Sequence, residues 1–85
     1  MLITALAIAR EIGDRSAEAQ FLIAIGDFYG AQGEHSQALD SYQQALVIAR
    51  EQGDRQAEET ILSNIGFIDF LIFIEEGNRS PEPNP

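Results

Sequence analysis

The side chains able to do chemistry are few in this chain. His35 is the only histidine in 85 residues, and neither cysteine nor lysine occurs. A histidine that works as a general base or a metal ligand needs a placed nucleophile or a second ligand. In Gly33-Glu34-His35-Ser36 none stands at a recognisable spacing, so His35 is expected to be a solvated first-turn residue. Ser36, Ser41 and Ser63 fall in helical patterns rather than in a G-x-S-x-G elbow, and no P-loop or dinucleotide glycine motif is present. The adjacent pairs Glu58-Glu59 and Glu75-Glu76 could bind a cation. Neighbours on a helix point about 100° apart, however, and no D-x-D-x-D-G calcium loop appears. Solvated faces are the expectation. Arg10, Arg15, Arg50 and Arg55 could hold a phosphate, but Asp14, Asp54 and nearby glutamates can neutralise them. A network at the helix corners, with exposed pairs worth about 0 to 1 kcal/mol each, is the simpler account. No catalytic, metal-binding or cofactor-binding residue is expected, no cofactor is implied, and the chain is not expected to be an enzyme.

Charge narrows the partners. Fourteen acidic residues against five basic ones give a net charge of −9, so no basic face exists to neutralise phosphates or anionic lipid. Nucleic acid and membrane surfaces are not expected as partners. The opening MLITALAIAR lacks the positive n-region of a signal peptide, and its letters recur in mid-chain as ALVIAR. The apolar run from Ile65 to Ile74 is about half the length needed to cross a bilayer and contains Asp69. The absence of cysteine fits a reducing compartment, and the cytoplasm is the expected location. At this length the chain forms one domain at most and hides only about 60 to 65% of its unfolded surface.

What must position any site is a repeat. Ala5 and Ala45, Ile8 and Ile48, Glu11 and Glu51, Gly13 and Gly53, Arg15 and Arg55, Glu18 and Glu58, Leu22 and Leu62, and Gly26 and Gly66 are all 40 positions apart. A period of about 20 to 50 residues marks stacked supersecondary units, none able to bury its apolar face alone. Apolar residues from Gln37 to Arg50 follow the three-and-four spacing of a one-faced helix. Gly53 suits the left-handed position past a helix end, and Asp54 suits the N-cap of the next. Gly33 closes a second corner before Glu34. The pattern predicts four helices, over about 2–12, 15–31, 35–51 and 55–75, in a domain of residues 1–76. Residues 77–85 carry all three prolines and are expected to be a disordered tail.

The succession Leu22, Ile25, Gly26, Tyr29, Gly33, Ala38, Tyr42, Ala45 resembles the tetratricopeptide repeat pattern, in the longer form of about 40 residues found in kinesin light chains and bacterial signalling proteins. Gly26 and Ala38 are small where paired helices would cross closely, and Tyr29 and Tyr42 fill the space beside the crossing. The family's proline near the end of the second helix is replaced by Arg50. The resemblance covers roughly residues 2–68. It implies an all-α fold of antiparallel helix pairs stacked as a short right-handed superhelix, with an incomplete repeat at each end. After Gly66 the pattern lapses, with Asp69 for the tyrosine and Phe73 for the turn glycine.

The same resemblance implies that the first helix of each pair lines a concave surface that receives an extended peptide or a partner helix. Carried over by the motif, that surface is Gln20, Ile23, Ala24, Asp27, Gly30 and Ala31 in one copy and Thr60, Ser63, Asn64 and Phe67 in the other. Asn64 matches a position that presents asparagine to a peptide backbone. With no lysine or arginine in the set, the ligand is expected to be a neutral, apolar or basic protein segment. The expected function is a non-catalytic protein–protein interaction module, part of a larger scaffold. The alternative is a self-association module or a truncated piece of a repeat array. That alternative would form a homo-oligomer joined through Phe70, Leu71, Phe73 and Ile74 of the apolar last helix, with a short strand from Leu71 to Ile74 as a lesser variant.

Overall fold

A computed structural model describes residues 2–79 and consists of four α-helices: α1 (Leu2–Ile12), α2 (Arg15–Ala31), α3 (His35–Gln52) and α4 (Arg55–Arg79). Each packs chiefly on its chain neighbours, most extensively α2 on α3. The result is long and thin, 57 × 27 × 13 Å with a radius of gyration of 15.2 Å, against about 12 Å for a compact domain of this length. A stack grown in one direction has that shape.

Local chemistry makes the corners. Gly13, Gly33 and Gly53 have φ of +74°, +79° and +67°, the left-handed conformation that costs a side-chain-bearing residue energy. The amide after each, of Asp14, Glu34 and Asp54, donates back to the carbonyls of Ala9, Tyr29 and Ala49 at 2.9 Å, closing the helix end in a Schellman motif. Asp14 and Asp54 then cap the following helix, each accepting from the amide three residues on, at 3.1 and 3.0 Å. Glu34 makes no such bond. The Gly-Asp dipeptide therefore ends one helix and starts the next.

Small residues set how closely the helices approach. Ala38, Ala45, Ala49 and Ile61 are essentially without solvent exposure, and Leu22, Ile25, Tyr42 and Ile48 surround them. A Cβ added to Gly26 would lie 2.7 Å from Tyr42 Cε1, so the tyrosine ring occupies the space a side chain would need. Tyr29 is half-buried and meets Phe28 edge-on, with ring centroids 5.9 Å apart.

The arginine network forms with the expected glutamates but not with the expected aspartates. The aspartates are committed to capping, and the glutamates take the arginines. Glu18, buried at the α1–α2 joint, accepts from Arg10 Nε at 2.9 Å and Arg15 Nη1 at 3.0 Å. Arg50 Nε reaches Glu58 at 3.0 Å, and Arg15 also pairs with Glu51 across the α2–α3 joint. Arg55 joins no ion pair among the described residues.

The far end of α4 departs from the sequence reading. It runs as helix to Arg79, past the expected end at 75, so Gly77–Arg79, assigned to the tail, are helical and Leu71–Ile74 is not a strand. With phenylalanine at 73, no glycine turns the chain where Gly33 turns α2. Leu71 and Ile72 pack against the core and carry the helix onward. Glu75, at the end of the expected span, comes with its Oε1 to 3.5 Å from His35 Nδ1, and the His35 side chain is only 10% exposed. His35 is thus covered rather than solvated. The remainder of the predicted tail, 80–85, lies outside the described residues. No helix among the described residues is long and apolar enough to cross a membrane.

Two measurements check this account. Gly26→Ala should lower the unfolding free energy by about 1–3 kcal/mol through the clash with Tyr42. Gly66→Ala, where an added Cβ meets nothing within 4 Å, should raise it by up to about 1 kcal/mol, since alanine is the better helix former. Equal effects in urea melts would disprove the crossing. Acid is the second probe. The hydrogen bond from Arg10, aided by Arg15 and opposed by burial, holds the Glu18 carboxyl below its ordinary range. A folded value below the unfolded one stabilises the fold above the unfolded value of about 4.3, and the contribution is lost as pH falls through the folded value. Melting temperature should therefore drop with acidification through that window, with a shallower slope in Glu18→Gln.

Candidate functional site

Two helical faces and one tyrosine make a cleft of about 250 Å³. Asp27, Gly30 and Ala31 of α2 form one wall, Asn64, Phe67 and Ile68 of α4 the other, and Tyr42 of α3 lies between them. Each wall follows the i, i+3, i+4 spacing of a single helix face. Gly30 allows the walls to converge, since a Cβ there would stand 3.3 Å from Ile68 Cδ1.

The Tyr42 hydroxyl donates to Asp27 Oδ1. A carboxylate has about four acceptor sites, so this bond fixes the Asp27 rotamer while leaving capacity to accept from a ligand. Burial pushes the Tyr42 phenol well above its ordinary range, and the Asp27 hydrogen bond and charge push it further. Tyr42 therefore stays a neutral donor at any physiological pH. Asn64 is half-buried and makes no side-chain hydrogen bond among the described residues, and Phe67 is exposed. The cleft thus carries one negative charge, one amide able both to donate and to accept, and one open aromatic face.

Of the residues predicted to line the concave surface, the structure brings together Asp27, Gly30, Ala31, Asn64 and Phe67. Gln20, about two turns before Asp27, Thr60, about one turn before Asn64, and Ser63, beside Asn64, are exposed and do not line the cleft, while Ile23 and Ala24 are half-buried, with Ile23 packed on the core. Tyr42 and Ile68 were absent from the sequence reading of the site. The pairing of Gly26 with Tyr42 was the available signal, because a ring seated against α2 at residue 26 has its hydroxyl near residue 27.

A larger groove of about 410 Å³ separates α1 from α3 over α2. Three of its polar side chains bond to one another: Arg10 donates to Gln44 at 3.3 Å, and Gln44 donates to Asp40 at 2.9 Å. The amide of Asn64 makes no such bond among the described residues. Among the residues predicted for self-association, Phe70, Phe73 and Ile74 are exposed, and Leu71 is half-buried against the core. Glu58 accepts from Arg50 Nε at 3.0 Å.

No protein-family model, curated protein or solved structure matches this chain.

Alkaline titration checks the Tyr42–Asp27 pair. In Tyr29→Phe, which leaves Tyr42 as the only tyrosine, ultraviolet absorbance should show no phenolate at the ordinary value of about 10 while the chain remains folded. Because the folded value is the higher one, the stability Tyr42 contributes is full below the unfolded value and is lost as pH rises through the folded value. Adding Asp27→Asn should bring the transition part of the way down, burial remaining. A normal phenol in the folded protein would refute the pairing.

Proposed function

We propose that this chain is a non-catalytic protein–protein interaction module. In this reading it is a short tetratricopeptide-like array, and the cleft between α2 and α4 receives an extended peptide or one face of a partner helix. The observation that carries the reading is the convergence of Asp27, Asn64 and Phe67 with Tyr42 in one cleft. The repeat pattern had nominated the first three of these from two stretches of sequence 40 residues apart.

The chemistry of such binding follows from the lining. The Asn64 amide can accept from a peptide N–H and donate to its carbonyl, which satisfies an extended backbone independently of sequence. Phe67, Ile68 and Ala31 offer an apolar surface for one side chain. Asp27, held by Tyr42, accepts from a basic or neutral donor, and the chain's charge of −9 repels acidic segments. A cleft of about 250 Å³ is below the usual size of an enclosing ligand pocket, about 300–1,000 Å³. It suits an anchor for one or two residues of a longer ligand. The cytoplasm is the compartment we propose, from the cysteine-free composition.

Selection from a displayed random-peptide library, followed by fluorescence polarisation with the enriched peptides, tests the proposal. The peptides should be neutral or basic with an apolar residue. Asn64→Ala and Asp27→Arg should each weaken binding about tenfold, equivalent to about 1.4 kcal/mol. Failure to enrich any peptide, or enriched peptides that bind both variants like the parent chain, would reject it.

A further inference from the structure

The 40-residue shift relates not only residues but the joints between helices. At the α2–α3 joint, Leu22 and Ile48 are each 3% exposed, Gly26 lies under the Tyr42 ring, and Arg15 is paired with Glu51. Adding 40 converts the α2 side of that joint into Leu62, Gly66 and Arg55 of α4. Subtracting 40 converts the α3 side into Ile8 and Glu11 of α1, with Leu2 in the place of Tyr42. In the single chain these converted residues lack the joint that covers their counterparts. Ile8 is 52% exposed and Leu62 43%, an added Cβ at Gly66 would touch no atom within 4 Å, and Glu11 and Arg55 join no ion pair among the described residues. One end of the stack thus presents half of a joint, and the other end presents the complementary half.

We propose that the two halves meet between copies: α1 of one chain docks on α4 of the next in the register that α3 holds on α2. The occupant is a second copy because the α4 face repeats the α2 face, and the structure shows what fits that face. It is a helix with alanines at its crossing, an isoleucine for the leucine and a glutamate for the arginine. α1 carries those letters on its open side as Ala5, Ile8 and Glu11, while Ala9 is already buried within the chain. Charge agrees as well, since Arg55 of one copy and Glu11 of the next would recreate the pair made by Arg15 and Glu51. The two patches differ from each other, so the contact is heterologous and propagates head to tail. α1 has 11 residues against 18 in α3. In the shared register it therefore covers α4 only as far as about Gly66, and Phe70 and Phe73 stay outside the contact. This separates the proposal from an apolar end that sticks to its like, and it does not rest on the α2–α4 cleft.

Sedimentation velocity on the 85-residue chain tests it, at about 150 mM salt to screen repulsion between copies of charge −9. The parent chain should show concentration-dependent growth beyond the dimer. Ile8→Glu and Leu62→Glu should each be monomeric yet form a one-to-one dimer when mixed, because each retains the face the other has lost. Both sites are exposed enough to keep the fold, as circular dichroism would verify. Glu11→Arg and Arg55→Glu should each weaken association about tenfold, and the double exchange should restore most of it. Phe73→Glu should associate like the parent. The proposal is overturned if the parent stays monomeric into the millimolar range, if mixing the two blocked variants yields no dimer, or if Phe73→Glu abolishes association. A stop at a closed dimer would equally overturn it, by showing a symmetric interface.

Discussion

The ring of Tyr42 stands where a side chain on Gly26 would otherwise be, and most of the fold depends on that contact. It sets the spacing of α2 and α3, the most extensive helix pair in the molecule. With the ring in place, Ala38 and Ala45 close against the crossing and Leu22 and Ile25 fill its sides. The phenol is then positioned beside Asp27, where α4 completes the cleft. One substitution of hydrogen for methyl, at residue 26, is what lets a core aromatic also become a wall of the candidate site. Packing and site cannot be varied independently here.

The helix boundaries were legible because they are decided within a few residues. A glycine past the helix end and an aspartate before the next helix satisfy the exposed amides and carbonyls locally. Neighbouring helices have little say in the matter. The same signals were missing at the C-terminal end of α4, and there the reading failed. Gly77 is a poor helix former, but Leu71 and Ile72 are anchored on the core and Glu75 reaches His35. The length of that helix is a tertiary outcome. The covering of His35 is likewise tertiary, since its partner Glu75 is 40 residues away in sequence, which is why a histidine in a corner sequence could be taken for a solvated one.

The site was half legible for a related reason. The resemblance to the tetratricopeptide pattern nominates a surface on the first helix of each pair, and Asp27, Asn64 and Phe67 came from it. It does not tell at what depth along two helices a third one intrudes. Tyr42 enters from α3 near residues 27–31, so the cleft forms there, while Gln20 and Thr60, a turn or more away along the same nominal faces, are left on open surface. Long-range geometry selected among candidates that local pattern had treated alike.

Repetition also explains why equal letters have unequal surroundings. Leu22 and Leu62, Ile48 and Ile8, and Gly26 and Gly66 are the same residue types at equivalent places, yet one of each pair is buried and the other exposed. The difference cannot come from the residues or from their own helices, which have the same pattern. It comes from whether a neighbour is present on the outer side. A one-dimensional stack of helices buries its interior joints completely and its terminal faces by half. A polar cap would replace Leu62 and Ile8 with charged residues; this chain retains the interior residue types at both ends. The corner motif shows the same economy, because Arg55 and Glu11 keep the charges of an ion pair whose other halves lie on opposite ends of the molecule. Residue types suited to an interior joint, displayed on complementary terminal faces, favour continuation of the stack over its termination.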